Sequence, residues 1–428
     1  MGVDMRIYNL FPLLAGPFKD WEPHLQRAAA LGFDWVFVNP IQQPGRSGSL
    51  YSIKDYFAIN PALCSGAATP EEQVRQMVAT AEKLGLRLMV DLVINHCAYD
   101  SELLKAHPQW FVKEGGRIAH PHCMHDGQKV VWRDLAQFDH RHGGDPEGLY
   151  RYCLKLLLYL MDLGFTGFRC DAAYQLPEPL WRRLIEEVRR QRPEAVFVAE
   201  TLGCSPQQTR ETAQAGFDAI FNSSKWWDFD SPWLLEQYHL TRDASPSISF
   251  PESHDTPRLC EECHGNVDAL KQRYLFAALF SAGVMMPMGY EFGFRKPLHV
   301  VETRPKDWET TEIDLSEFIT QVNGLKAAHP VFREESVTGV WPTSNPAVLM
   351  LWKSAVGRVS EALLILNKDP WNRQHIWVDD LYRYTQSGKP LADLSPQWPM
   401  EHLPTPFDYE LLPGMGRVLV AGGPLAGI

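Results

Sequence analysis

The chain has 428 residues, 45% of them apolar and 22% charged, and carries a formal net charge of −11. That is enough apolar sequence for a full core and for more than one domain. An acidic chain without a basic run excludes nucleic acid and anionic membranes as leading partners, and no apolar run reaches the ~20 residues that span a bilayer.

The start, MGVDMRIYNL, has no charged region followed by an apolar one, so no signal peptide is expected and the protein is read as cytoplasmic. Cysteines stand at 64, 97, 123, 153, 170, 204, 260 and 263, and free thiols are the expectation in that compartment. Cys260 and Cys263 form one C-x-x-C with His254 and His264 nearby. A second such pair is missing, so zinc is not expected there.

In chain order, apolar β-rich runs occur at 6–12, 33–40, 87–96, 164–173, 195–200, 217–224, 247–255 and 283–291. Helical patterns lie between them, at 70–85, 149–164 and 179–191 among others, with apolar residues three and four apart in the last two. Pro70 opens the first, and Gly85 and Gly164 close two of them. Eight strands alternating with helices predict an α/β fold, a (β/α)8 TIM barrel. Chemistry in such a barrel gathers at the carboxyl ends of the strands. Asn95, His96, Asp171, Glu200, His254 and Asp255 all fall there. A doubly wound sheet would want a Gly-rich phosphate loop after an early strand, and none is present.

The polar, His- and Gly-rich stretch at about 97–148 reads as a short insertion after strand three, of the kind that carries function. From about residue 336 the pattern changes to short strands at 347–354, 361–369, 375–379 and 416–422 without helices between them. The expected organisation is a catalytic barrel over 1–335 and a C-terminal antiparallel, β-sandwich-like domain over 336–428.

Arg169 and Asp171 are two apart in a strand, so both point to one face. Three carboxylates stand at strand ends: Asp171, Glu200 and Asp255. Retaining glycoside hydrolysis needs a carboxylate nucleophile and a carboxylic acid ~5 Å apart on either side of the scissile bond. Asp171 suits the nucleophile and Glu200 the acid/base. Arg169 would keep Asp171 ionised, and Asp255 would hold sugar hydroxyls.

At these residues the chain resembles glycoside hydrolase family 13, the α-amylase family. DLVINH (91–96), GFRCDAA (167–173), VAE (198–200) and ESHD (252–255) resemble its four conserved regions in order. WRDLAQFD (132–139) is similar to a short conserved stretch of its third-strand insertion, and GYE (289–291) to the end of its eighth strand. The resemblance implies Asp171, Glu200 and Asp255 as catalytic, with Tyr51, His96, Arg169 and His254 binding sugar and Asp91 supporting Arg169. It implies no required cofactor. Asn95 matches a calcium ligand of many α-amylases, so Ca2+ is left open.

Two positions depart from the family. The acceptor-side Lys-His pair of many endo-amylases is replaced by Tyr174 and Gln175. Parts of the spelling resemble the maltosyltransferase-like branch. The implied activity is cleavage of α-1,4-glucosidic bonds in an α-glucan or malto-oligosaccharide through a covalent Asp171 intermediate. Maltosyl or glucanosyl transfer from a small or phosphorylated donor stands as the alternative, and an inactive carbohydrate-binding relative as the third. Tyr174, Trp226 and Trp227 are candidate acceptor-side residues. Trp110 and Phe111 are read as either sugar-stacking or packing, and Lys225, Arg258 and Arg295 are candidates for an anionic donor.

Overall fold

All eight barrel runs become parallel strands in the structure, a computed structural model that describes residues 5–125 and 128–422. They are β1 (Met5–Leu10), β2 (Trp35–Val38), β3 (Arg87–Leu92), β4 (Gly167–Cys170), β5 (Val196–Ala199), β6 (Ala219–Phe221), β7 (Ser247–Ser249) and β8 (Gly283–Pro287), and β8 pairs back onto β1 to close the barrel. Each is followed by a helix: α1 (Glu22–Ala30), α2 (Pro70–Lys83), α3 (Pro146–Asp162), α4 (Glu178–Gln191), α5 (Pro206–Ala213), α6 (Trp233–Thr241), α7 (Val267–Phe280) and α8 (Ser316–Ala328).

The strands read as apolar runs because both faces are covered. Ile7, Trp35, Phe37, Met89, Val198 and Met285 fill the barrel interior. Tyr8, Val36, Val38, Val90, Phe168 and Phe197 face the helix ring. Gly167 makes room for the largest interior ring, since a Cβ there would lie 2.6 Å from Trp35 Cζ3.

Local chemistry sets the helix ends. Thr69 and Glu72 form a reciprocal capping box around Pro70, and Gly85 (φ +76°) turns the chain out of α2. Asp145 caps α3 by accepting from the Gly148 N–H at 2.9 Å, and accepts from Trp110 Nε1 at 3.0 Å as well.

The insertion after β3 is built from short hairpins. His96–Ala98 pairs antiparallel with Leu135–Gln137, and the Tyr56 hydroxyl donates to His96 O at 2.6 Å. This ties the insertion to the Ile53–Ile59 strand of the preceding loop.

Five C-terminal strands, β9 (Thr338–Trp341), β10 (Val348–Ser354), β11 (Glu361–Asn367), β12 (Leu391–Asp393) and β13 (Gly416–Ala421), form an antiparallel sheet in the order β9-β10-β11-β13-β12. The predicted strand at 375–379 is Gln374–Val378, and it pairs with Phe407–Leu411 outside the main sheet. Alternate residues divide the sheet's faces. Leu349, Leu351, Leu364 and Leu366 join the barrel's core. Val348, Met350, Leu363 and Ile365 pack with Ile376 and Phe407 in a separate core. The fold is thus a TIM barrel with a C-terminal antiparallel β-domain.

α7 runs between the two. Its Gln272 donates to Asn367 O at 2.6 Å, its Leu279 carbonyl accepts from Lys353 Nζ at 3.0 Å, and Leu275 fits against Gly416. Among the described residues, no helix is long and apolar enough to cross a membrane.

Candidate active site

Register builds the centre of the site. Arg169 on β4 is the Cα partner of Asp91 on β3, so their side chains emerge together. Arg169 Nη1 donates to Asp91 Oδ1 and Oδ2 at 2.8 and 3.0 Å and to Asp171 Oδ1 at 2.7 Å. Its Nη2 lies 4.0 Å from both Glu200 Oε2 and Asp255 Oδ2. One buried guanidinium therefore faces four carboxylates.

The cost of burying so many carboxyls together shows at Glu200. Burial, with Asp171 beside it, pushes its carboxyl up to about 7 against the pull of Arg169. Burial likewise raises Asp91 to about 6, opposed by Arg169. Asp255 goes the other way. Loss of solvent raises it, but His254 and Arg169 more than reverse that and hold it down to about 2.

Backbone groups fix Glu200. Ala172 N–H donates to Oε2 at 2.7 Å and Leu202 N–H to Oε1 at 2.9 Å. Ala172 adopts φ 43° and ψ 43°, a left-handed conformation a non-glycine residue rarely takes. That turn directly after Asp171 aims the N–H at Glu200, and such strain is typical of functional sites.

Tyr51 and His254 close one wall. The Tyr51 hydroxyl has one proton, which it gives to Asp91 Oδ2 at 2.5 Å, and it accepts from Asn39 Nδ2 at 2.9 Å. Its 2.7 Å contact with His254 Nε2 is therefore a bond it accepts, so that nitrogen carries a proton. The same nitrogen is 3.0 Å from Asp255 Oδ2, and the two rings stack at 3°. His96 places Nε2 3.2 Å from Tyr51 O.

Tyr51, Asn95, His96, Asp171, Tyr174, Gln175, Glu200 and Asp255 line a single cleft of about 320 Å³. Asn95 donates to Gln175 Oε1 at 2.8 Å, and Gln175 Nε2 lies 3.4 Å from the Tyr174 hydroxyl. Asn95 thus braces the acceptor-side pair. Its backbone oxygen is taken by the Phe138 N–H at 3.0 Å. Among the described residues there is no group of three or more His, Cys, Asp or Glu that could hold a metal ion. Cys260 and Cys263 are free thiols, as are Cys64, Cys97, Cys153, Cys170 and Cys204. The Cys123 side chain lies outside the described residues.

Several candidates fall elsewhere. Trp227, an acceptor-side candidate, is 1% exposed and packed against Phe229, Phe276 and Phe280, so it is core and unavailable to a sugar. Its neighbour Trp226 is 52% exposed, edge-on to Phe250, and outside the cleft lining. Trp110 stacks on His107 and bonds the α3 cap, and Phe111 stacks on Phe138, so both are packing residues. Arg258 is buried against Glu252 at 2.7 Å, Lys225 pairs with Glu262 at 2.7 Å, and Arg295 lies near Glu261. None of these three lines the cleft. The site also contains residues sequence reasoning gave no role: Asn39, Trp132 and Asp134. The last two belong to the WRDLAQFD stretch, and Asn39 is the first polar residue after β2.

Residues 4–113 match the family model for the glucanotransferase domain of glycogen debranching enzyme. An alpha-1,4-glucan:maltose-1-phosphate maltosyltransferase of Burkholderia pseudomallei is 28% identical over 370 residues, 82% of this chain and 32% of that protein. The corresponding protein 1 of Streptomyces coelicolor is 25% identical over 399 residues, 85% of this chain and 57% of that one. The chain thus spans about a third to three-fifths of the length of these curated relatives. An α-amylase structure from Lactobacillus plantarum superposes with a TM-score of 0.79 at 20% identity, covering 97% of this chain and 98% of that one. The trehalose-6-phosphate hydrolase of Bacillus licheniformis does so at 0.77 and 12%, covering 98% and 99%. These likenesses, with the barrel and the ordered strand-end motifs, support a glycoside hydrolase family 13-type protein of the α-amylase family with a maltosyltransferase-like resemblance.

Proposed function

We propose that the protein is a retaining enzyme that cleaves α-1,4-glucosidic bonds of a neutral α-glucan. The observation that carries this reading is the pairing of Asp171 with Glu200 around Arg169. One carboxylate accepts a 2.7 Å charge-assisted bond, while the other is pushed up to about 7 and so holds a proton near neutral pH.

In this reading Asp171 attacks the anomeric carbon as Glu200 gives its proton to the departing glucosidic oxygen. The product is a glycosyl ester on Asp171 and an ionised Glu200. Glu200 then takes a proton from water or a sugar hydroxyl, which attacks the same carbon and frees Asp171. Asp255, His254 and His96 hold hydroxyls of the reacting sugar, and Tyr51 offers its ring face. Asp91 and Arg169 keep Asp171 in place.

Transfer from a phosphorylated donor is the second reading, supported by the names of the relatives. Charge argues against it. The described cleft-lining residues include Asp134, Asp171, Glu200 and Asp255 but no lysine, and no arginine besides Arg169, already shared among carboxylates. A phosphate would meet repulsion there.

The test is a time course on maltoheptaose, resolved by chain length, with the Asp171→Asn variant as control. Shorter products alone mean hydrolysis, and a ladder above the starting length means transfer. Inertness toward maltoheptaose, with turnover on maltose 1-phosphate plus acceptor, sinks the neutral-donor reading. Near-normal activity in Asp171→Asn sinks the mechanism.

A further inference from the structure

The cleft's rim carries aromatic surface that the catalytic cluster does not use. Trp132 lines the cleft with Asp171, Glu200 and Tyr174, yet its side chain stays 39% exposed. Its backbone is fixed at both ends: the N–H donates to Pro121 O at 3.1 Å, and the carbonyl accepts from the Leu135 N–H at 3.3 Å. Among the described residues no other ring stacks on the indole. The backbone that carries the indole is thus held in position, and the residue stays partly exposed.

A second exposed aromatic residue belongs to the same insertion. Tyr99, 42% exposed, lies over the His120 ring at 4.9 Å, and its N–H donates to Asp134 O at 2.8 Å. His120 is joined to Pro121 and bonds Leu135 O at 2.8 Å. Tyr99 and Trp132 are thus pinned to the same short piece of the insertion, and of the two Trp132 lines the cleft.

The occupant follows from the chemistry of the place. The neighbouring cleft is polar and acidic, which disfavours an anion or an apolar peptide. A pyranose has a C–H face that lies flat on an aromatic ring and hydroxyl edges that remain in water. We infer that Trp132, continued by Tyr99, is the stacking track for glucosyl units beyond the pair at the scissile bond, so that the cleft reads chain length. This rests on the α-glucan reading above.

The test measures dissociation constants of maltose, maltotriose, maltopentaose and maltoheptaose calorimetrically, with all variants in the Asp171→Asn background. Affinity is expected to rise with chain length in the parent. Trp132→Ala should weaken maltoheptaose about 2- to 10-fold, the worth of one aromatic stacking partner, and leave maltose unchanged. Trp132→Phe should restore most of the gain. Trp132→Leu, which keeps bulk but has no flat face, should not, and it guards against misfolding of the Ala variant. Tyr99→Ala should affect only the longest chain. Equal losses for maltose and maltoheptaose, or full affinity in both Trp132→Ala and Trp132→Leu, overturn the track while the glucan reading stands. Failure of the parent to bind any of the four sugars overturns both.

Discussion

At the scale of single residues, the site is a problem of charge placed around one arginine. Glu200 is the carboxyl whose proton matters, and its position near 7 has two measurable results. As the acid of the first step it must be protonated, so kcat/KM is expected to fall as pH rises through about 7. Glu200→Gln should lower turnover by ~100-fold or more and abolish that limb. The same shift acts on stability. The ordinary carboxyl value is 4.5, so between 4.5 and 7 the folded state holds a proton that the unfolded state has released. The stabilisation is full below 4.5 and is lost as pH rises to about 7. Thermal melts from pH 4 to 8 should show Glu200→Gln gaining on the parent by about 1–3 kcal/mol across that window. A constant difference would mean that Glu200 titrates normally. The carboxylates and Arg169 were legible in the sequence because period-two spacing and strand ends place them. Asn39 and Trp132 were not, because a loop residue's reach depends on how two insertions fold against each other.

At the scale of elements, caps and hairpins carry the precision. Asp145 both opens α3 and holds Trp110, so one side chain ties the insertion to the helix ring. Asp145→Ala should cost about 1–2 kcal/mol through the lost cap, read as a lower urea midpoint, and the freed Trp110 should become more accessible to quenchers. Trp110→Phe should reproduce the quenching-independent part of the loss only in small measure, because the cap remains. Sequence periodicity found α2, α3 and α4, each with an exposed face. It did not mark α7, whose Leu270, Leu275, Ala278 and Phe280 are all buried. A helix buried over most of its length, with polar residues confined to its first two turns, shows little of a polar stripe to reveal its period. The strands at Thr338–Trp341, Leu391–Asp393 and Phe407–Leu411 escaped for a related reason, since each is short and mixed in polarity.

At the scale of the whole molecule, the two sheets share α7. Gly416 on β13 approaches it so closely that a Cβ would stand 2.3 Å from Leu275 Cδ2. Gly416→Val should therefore destabilise the protein by about 1–3 kcal/mol, and Leu275→Ala in the same chain should recover part of that loss by vacating the space. Additive losses in the double variant would show that the contact does not transmit strain between the sheets. The shared helix also bears on how the protein can be handled in the laboratory. A shortened version ending near residue 335 would retain every proposed catalytic side chain, yet it would leave the outer apolar flank of α7 bare to water. Such a fragment would be sticky, collecting in inclusion bodies or pairing with itself through that flank, and its inactivity would say nothing about the chemistry of the cleft.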